Sequence, residues 1–187
     1  LLSSLDSIAW LLNLRGNDIQ YTPLLRCYAV IPQQGKVELF IDSYKIKHLV
    51  KDLNHLINFY SFDKIDKYFL SLSLKKIIGM DEEETSYHFK NICMKQGLIV
   101  NHIENPCLYP KAIKNEIELK GAREANLRDG VSITKFLYWL KNKMVVRETD
   151  EIKAAEYLYN MRKKNDLFYS LSFDYTFCNK SRDFPNS

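Results

Sequence analysis

The chain has 187 residues, 46% of them apolar and 27% charged, and a net charge of only +4. That length allows one large domain or one domain with an appendage, and the composition is that of an ordinary globular protein. The 27 basic residues are dispersed among 23 acidic ones, so there is no basic face of the kind a nucleic-acid reader presents, and no apolar run approaches the roughly 20 residues of a membrane-spanning helix.

In chain order, IAWLLNLR (8–15) and LLRCYAVI (24–31) are short apolar runs bounded by Gly16-Asn17-Asp18 and Pro32, and both read as strands. The first, close as it lies to Leu1, is expected to be internal to a sheet. KVELFID (36–42) alternates apolar and polar at Val37, Leu39 and Ile41, the period-2 pattern of a half-buried strand. From Ser43 the spacing becomes helical, with Tyr44, His48, Leu49, Leu53, Leu56 and Ile57 on one face. A helix is expected over 64–72, a strand at KKIIGMD (75–81), a helix over 83–95 and a strand at GLIVNHI (97–103). This half reads as an α/β layered domain with a mixed sheet.

NPCLYP (105–110) holds two prolines and is the plausible domain boundary. Pro110 suits the first turn of a helix, where a missing N–H costs nothing, and a long helix is expected from Lys111 to about Lys143. Ile113, Ile117, Val131, Phe136, Leu140 and Met144 supply much of its apolar stripe. A second helix is expected from Glu148 to about Asn165 with Thr149 as N-cap. LFYSLSFDYTF (167–177) then reads as the first strand of a new sheet, followed by the polar CNKSRDFPNS.

Residue chemistry alone shows no active site. Cys27, Cys93, Cys107 and Cys178 contain no CxxC pair and read as reduced thiols packed as small hydrophobes in a cytosolic protein. His48 and His55 share a helix face but lie about 10 Å apart along its axis, too far for one metal ion whose nitrogen ligands sit near about 2 Å. His88 and His102 have no close-spaced companion. The run Asp81-Glu82-Glu83-Glu84 reads as a solvated turn favouring a helix N-terminus rather than as a cation site. No GxSxG or glycine-rich phosphate loop occurs, Lys75-Lys76 and Lys163-Lys164 are solvated pairs, and Trp10 and Trp139 read as core side chains.

Three longer strings carry a family likeness. SIAWLLNLRGNDIQYTPLLRCYAVI (7–31) closely resembles the aminopeptidase P (Xaa-Pro aminopeptidase) segment with an AWLLN-RG-D-P-P pattern; Gln20 replaces one of its prolines and Pro23 fits the other. ELKGAREANLRDGVSITKFLYWL (118–140) looks like that family's E-x-x-GMR-x-A-H-x-x-D-x-V helix, with Ala122 for its methionine and Asn126 for its histidine. TDEIKAAEYLYNMRKKNDLFYSLSFD (149–174) is similar to its T-E-x-x-A-A-x-x-L-x-x-x-R helix and LSF strand, and NPCLYPKAIKNEIE (105–118) fits the join.

The resemblance implies a partial creatinase-like second domain over 1–106, the start of a pita-bread catalytic domain over 107–174 with its first two helices and first strand, and a divergent tail over 175–187. For the whole family it implies a two-metal, usually manganese-dependent, peptidase that removes an N-terminal residue preceding proline. Its metal ligands, two aspartates, a histidine and two glutamates, lie downstream of the LSF strand. No catalytic, cofactor-binding or metal-binding residue is therefore expected in this chain, which is read as inactive alone. The tail YTFCNKSRDFPNS is expected to arise from an altered reading frame or gene decay. The alternative is a non-catalytic interaction module that pairs with a separately encoded catalytic half. In either case Ile117, Val131, Phe136 and Leu140 are expected to be exposed, which favours self-association.

Overall fold

The computed structural model describes residues 1–145 and 149–173. The chain divides into two compact units, Leu1–Ile113 and Lys114–Ser187. The division falls after the short helix that follows NPCLYP, a little beyond the expected boundary at 106.

The first unit holds two sheets. Strands β1 (Cys27–Val30), β2 (Val37–Ile41) and β3 (Ile57–Ser61) form a three-stranded sheet in that order, β1 antiparallel and β3 parallel to β2. Strands β4 (Ile77–Met80) and β5 (Ile99–His102) form a parallel pair. Around them stand α1 (Leu5–Leu12), α2 (Ser43–Leu53), a 3-10 turn (Phe62–Lys64), α3 (Ile65–Leu70), α4 (Tyr87–Lys95) and α5 (Leu108–Ala112).

Strand β2 is the middle of the core. Leu39 and Ile41 face one apolar cluster with Ile8, Cys27, Ala29 and Ile57; Phe40 faces another with Phe69, Met80, Phe89 and Cys93. The alternation in KVELFID suggested a half-buried strand, yet Leu39, Phe40 and Ile41 are all fully buried. Helices cover both faces, as a parallel pairing through a helical crossover demands.

The reading of residues 8–15 as an internal strand is overturned. Leu5–Leu12 is a helix that buries Ser7, Ile8 and Ala9, and Asn13 ends it in the left-handed region at φ 52°, its N–H donating to Ala9 O. A short continuous apolar run does not by itself separate a buried strand from a buried helix. Placing Leu56 and Ile57 on a helix face is also wrong: α2 stops at Leu53 and Ile57 opens β3. The acidic run does not lead directly into a helix, because α4 starts at Tyr87 with Ser86 as its N-cap.

In the second unit, α6 (Glu116–Val145) and α7 (Glu151–Lys163) pack on each other. The expected helix from Lys111 is in fact two helices, and Pro110 lies within short α5. The start of α6 is set by a reciprocal capping box: Glu118 N–H donates to Asn115 Oδ1 at 2.9 Å and Asn115 N–H to Glu118 Oε2 at 2.9 Å. Asp150, not Thr149, caps α7, accepting from Lys153 N–H at 2.8 Å. The expected strand at 167–177 is not formed over 167–173; the remainder lies outside the described residues.

Candidate functional site

The second unit brings together the two motifs that carry the likeness to a catalytic domain. Asp129, from the string at 118–140, and Arg162, from the string at 149–174, form a two-pronged ion pair: Arg162 Nε donates to Asp129 Oδ1 at 2.7 Å and Nη2 to Oδ2 at 2.9 Å. The planar guanidinium matches the carboxylate plane, which fixes the orientation of α7 on α6 better than a point charge could. One turn further along α6, Ser132 accepts from Asn165 Nδ2 at 3.4 Å. At the far end of the hairpin the rings of Trp139 and Tyr157 lie face to face, with centroids 4.0 Å apart and planes 7° apart.

Beside the ion pair is a cleft of about 280 Å³, lined by Ala125, Arg128, Asp129, Arg162 and Asn165 and by residues of the 167–173 segment. A more apolar groove of about 540 Å³ runs along the Trp139–Tyr157 stack, with Tyr138 and Met161. The expected core role of Trp139 is thus half right: it packs face to face on Tyr157, but the stack borders a groove. The two departures from the family pattern within the 118–140 string are bonded to each other, Asn126 Nδ2 donating to Ala122 O at 2.8 Å within α6.

The other sequence candidates resolve into structural roles. His88 Nε2 bonds the Asp66 carboxylate at 3.0 Å, and His102 Nδ1 accepts from Glu82 N–H at 3.4 Å. His48 and His55 are exposed on α2 and just beyond it. No three His, Cys, Asp or Glu residues gather into a metal-ligating group among the described residues, so those residues do not fit a two-metal centre.

The acidic run instead organises a buried asparagine. Asn105 is 4% exposed. Its N–H donates to Asp81 Oδ2 at 3.0 Å, and its Nδ2 donates to Glu84 Oε2 at 2.8 Å and Ser7 Oγ at 2.9 Å. Asn105 Oδ1 accepts from Cys107 N–H at 3.0 Å. This hub ties α1, the turn after β4 and the start of α5 together. NPCLYP reads only as a domain boundary, and nothing local in it encodes these distant partners.

Cys27, Cys93 and Cys107 are buried free thiols, and Cys178 lies outside the described residues. Burial pushes the Cys27 thiol up to about 12, with the nearby Asp18 carboxylate adding to the rise. Asp18 is itself held by Lys45 Nζ and by Arg26 N–H, the latter at 2.7 Å. Burial raises the pKa of Asp18, but these donors and charges outweigh it, so the carboxyl sits below its ordinary value.

Residues 1–118 match the Creatinase/Prolidase N-terminal domain. The chain belongs to that family. Among curated proteins it is similar to a probable Xaa-Pro aminopeptidase P of Aspergillus fumigatus, 38% identical with 92% of this chain and 28% of the relative covered. A probable Xaa-Pro aminopeptidase P of Pyrenophora tritici-repentis is 33% identical over 92% of this chain and 31% of its own length. Among solved structures, the X-prolyl aminopeptidase of Caenorhabditis elegans, described as a cytosolic enzyme with a di-nuclear active site, superposes with a TM-score of 0.74 at 26% identity. That superposition covers 91% of this chain and 29% of that one. The creatinase-like chain thus spans less than a third of the length of these proteins.

Proposed function

We propose that this chain is part of a metal-dependent aminopeptidase that removes an N-terminal residue preceding proline. In this reading the first unit is a creatinase-like scaffold and the second is the opening helical hairpin of the pita-bread catalytic domain. The observation that carries the reading is the Asp129–Arg162 pair, which joins the two catalytic-domain-like strings into one packed hairpin. The two manganese ions and their carboxylate and histidine ligands are supplied by polypeptide outside this chain. A cytoplasmic location accords with the cytosolic relative, and no described helix is long and apolar enough to cross a membrane. Peptides with proline second are the substrate class, with no role for nucleic acid.

A second reading, that the chain serves as a module pairing with a separately encoded catalytic half, is favoured by the exposed apolar side chains of α6. Ile117 is 83% exposed and Leu127 71%, and such surface favours either a partner or self-association. Phe136 and Leu140, expected to be exposed alongside Ile117 and Val131, are only half exposed, Phe136 lying against the Trp139 ring of its own helix.

One assay tests both. The purified chain with manganese and an Xaa-Pro peptide is expected to release no N-terminal residue above a blank. Addition of the downstream portion of a relative, with its ligands, is expected to give turnover that depends on this chain. Metal-dependent cleavage by the chain alone contradicts the first reading, and downstream activity indifferent to the chain contradicts the second.

A further inference from the structure

The first unit is polarised in charge along β4 and β5. Residues 67–80 and 89–103 contain no Asp or Glu, whereas Asp81–Glu84 and Glu104 follow the two strands at their C-terminal ends. At the opposite end α3 and α4 finish and the strands begin. Lys75 N–H donates to Gly97 O at 2.9 Å, Ile99 N–H to Lys76 O at 2.9 Å, and Gln96 Nε2 to Leu72 O at 3.2 Å. Lys67 and Lys95 stand in the last turns of α3 and α4, so they share this end with Lys75 and Lys76. All four are exposed, and none forms a salt bridge among the described residues. Lys90 differs, since its Nζ is held by Glu82. The Lys75-Lys76 pair is too short for an electrostatic footprint by itself, but the fold doubles it.

Apolar side chains stand in water among these lysines. Leu74 is 71% exposed, Ile77 65% and Met94 60%, and Leu70 and Ile99 are exposed as well. Ile77 and Ile99 are register partners across the strand pair, and Leu74 lies close to Gly97. Lys76 N–H donates to Ser73 O at 3.3 Å, closing a turn whose two corner residues are Leu74 and Lys75. Lys75 is in the left-handed region at φ 65°, which glycine adopts freely and a lysine only at a cost. The tip thus carries a charge where the backbone alone would favour glycine.

We infer that this end of the first unit is a peripheral docking surface for an anionic lipid bilayer, with Leu74 entering the interfacial layer and Lys67, Lys75, Lys76 and Lys95 meeting the headgroup anions around it. Charge complementarity argues for the occupant: four cations without a carboxylate among them match an acidic lipid surface. Weak apolar insertion and a basic patch each hold a protein to a membrane poorly, and stable attachment takes both. The projecting turn selects a bilayer over an acidic protein. Lipid yields to any side chain that enters it, whereas a protein interface needs a surface of matching shape. Lysine stems lie along apolar surface while their charged heads stay in water, as this arrangement requires. No described helix is long and apolar enough to cross a membrane, so the contact is peripheral. The inference is independent of the proposed aminopeptidase role.

The test is co-sedimentation of the 187-residue chain with vesicles of phosphatidylcholine alone and of phosphatidylcholine with phosphatidylserine at about 7:3. Binding is expected only with phosphatidylserine, and it should weaken as salt is added. Lys75→Gly removes one charge and relieves the left-handed backbone, so it should weaken binding about fivefold without lowering the thermal midpoint. Leu74→Ser should also weaken binding, and Lys163→Gln with Lys164→Gln, a basic pair in the second unit, should leave it unchanged. Absence of phosphatidylserine-dependent binding, indifference to Lys75→Gly, or an equal loss from the Lys163 and Lys164 changes would each overturn the inference. Binding that ignores Leu74→Ser and is matched by soluble polyglutamate would overturn it too, by assigning the patch to an acidic polypeptide.

Discussion

In Leu1–Ile113 two apolar clusters flank β2, whose Leu39, Phe40 and Ile41 are fully buried; in the second unit, among the residues described over 114–143 and 149–173, the one buried residue is the polar Ser132. Fully burying a Leu, Ile or Phe side chain stabilises by roughly 1.5–3 kcal/mol relative to leaving it in water. The first unit collects that gain many times over. The α6–α7 hairpin instead relies on one two-pronged ion pair, one aromatic stack and partly buried side chains. A fold of the first kind carries its own stability, and one of the second kind calls for a cover.

The sharpest way to break this contrast is to empty the core. Phe40→Ala removes a ring that packs on Tyr60 and Tyr68, and a core Phe→Ala change costs about 3–5 kcal/mol. In a Trp10→Phe background, urea unfolding followed by far-UV circular dichroism is expected to show the first unit's transition at much lower urea, while the fluorescence of Trp139 reports the hairpin little changed. A shift of both signals together would mean that the two units do not differ as described.

A smaller effect is expected at the polar hub. Asn105→Ala leaves the Cys107 N–H and the hydroxyl of Ser7 without their buried partner, and an unsatisfied buried polar group costs about 1–3 kcal/mol. Thermal unfolding should show the loss in the first unit alone. Asn105→Asp should be no milder, since it places a carboxylate against Glu84. A neutral Asn105→Ala would remove the hub from the account.

In the hairpin, Arg162→Leu and Trp139→Ala are expected to act locally. The Asp129 carboxylate is 48% exposed, so solvent screening holds the ion pair to about 0.5–1 kcal/mol, and the ring stack adds about 0.5–1.5 kcal/mol beyond its area. Loss of near-UV circular dichroism from the Trp139–Tyr157 pair, with the first unit's unfolding midpoint unchanged, is the expected signature. An equal fall in both units would contradict it.

The smallest effect is electrostatic and belongs to the first unit. Asp18 has a folded pKa below its ordinary 3.8, so its contribution is present above about pH 4 and disappears as the pH falls through the depressed folded value. Asp18→Asn should therefore flatten the acid limb of the stability profile between neutral pH and about pH 2, read as unfolding midpoint against pH. An unaltered acid limb would show that the Lys45 and Arg26 N–H contacts do not hold the charge.

Much of the first unit was legible in the sequence because its signals are local. KVELFID alternates as a strand and 97–103 ends in β5. What failed was where two periodicities coincide. IAWLL suits a buried strand or a buried helix, and only the left-handed Asn13 and the preceding Ser-Leu-Asp turn mark it as a helix. Leu53, Leu56 and Ile57 fit a helical face as well as a turn into β3, and tertiary pairing with β2 decided it. The Asn115–Glu118 capping box was present as a spacing but hidden by the uninterrupted helix-forming stretch around it. For the site, the strings at 118–140 and 149–174 pointed to the family, whereas the contact between Asp129 and Arg162 spans 33 residues and no local signal encodes it.

Hydrogen–deuterium exchange of the intact chain at neutral pH tests the central contrast most directly. Amides of β1–β3 are expected to exchange only through global opening of the first unit, and those of α6 and α7 by local opening, about two or more orders of magnitude faster; adding the downstream catalytic portion of a relative should slow the hairpin selectively. Hairpin amides as protected as those of β2 in the chain alone would contradict the claim that the first unit is self-sufficient and the second awaits its cover.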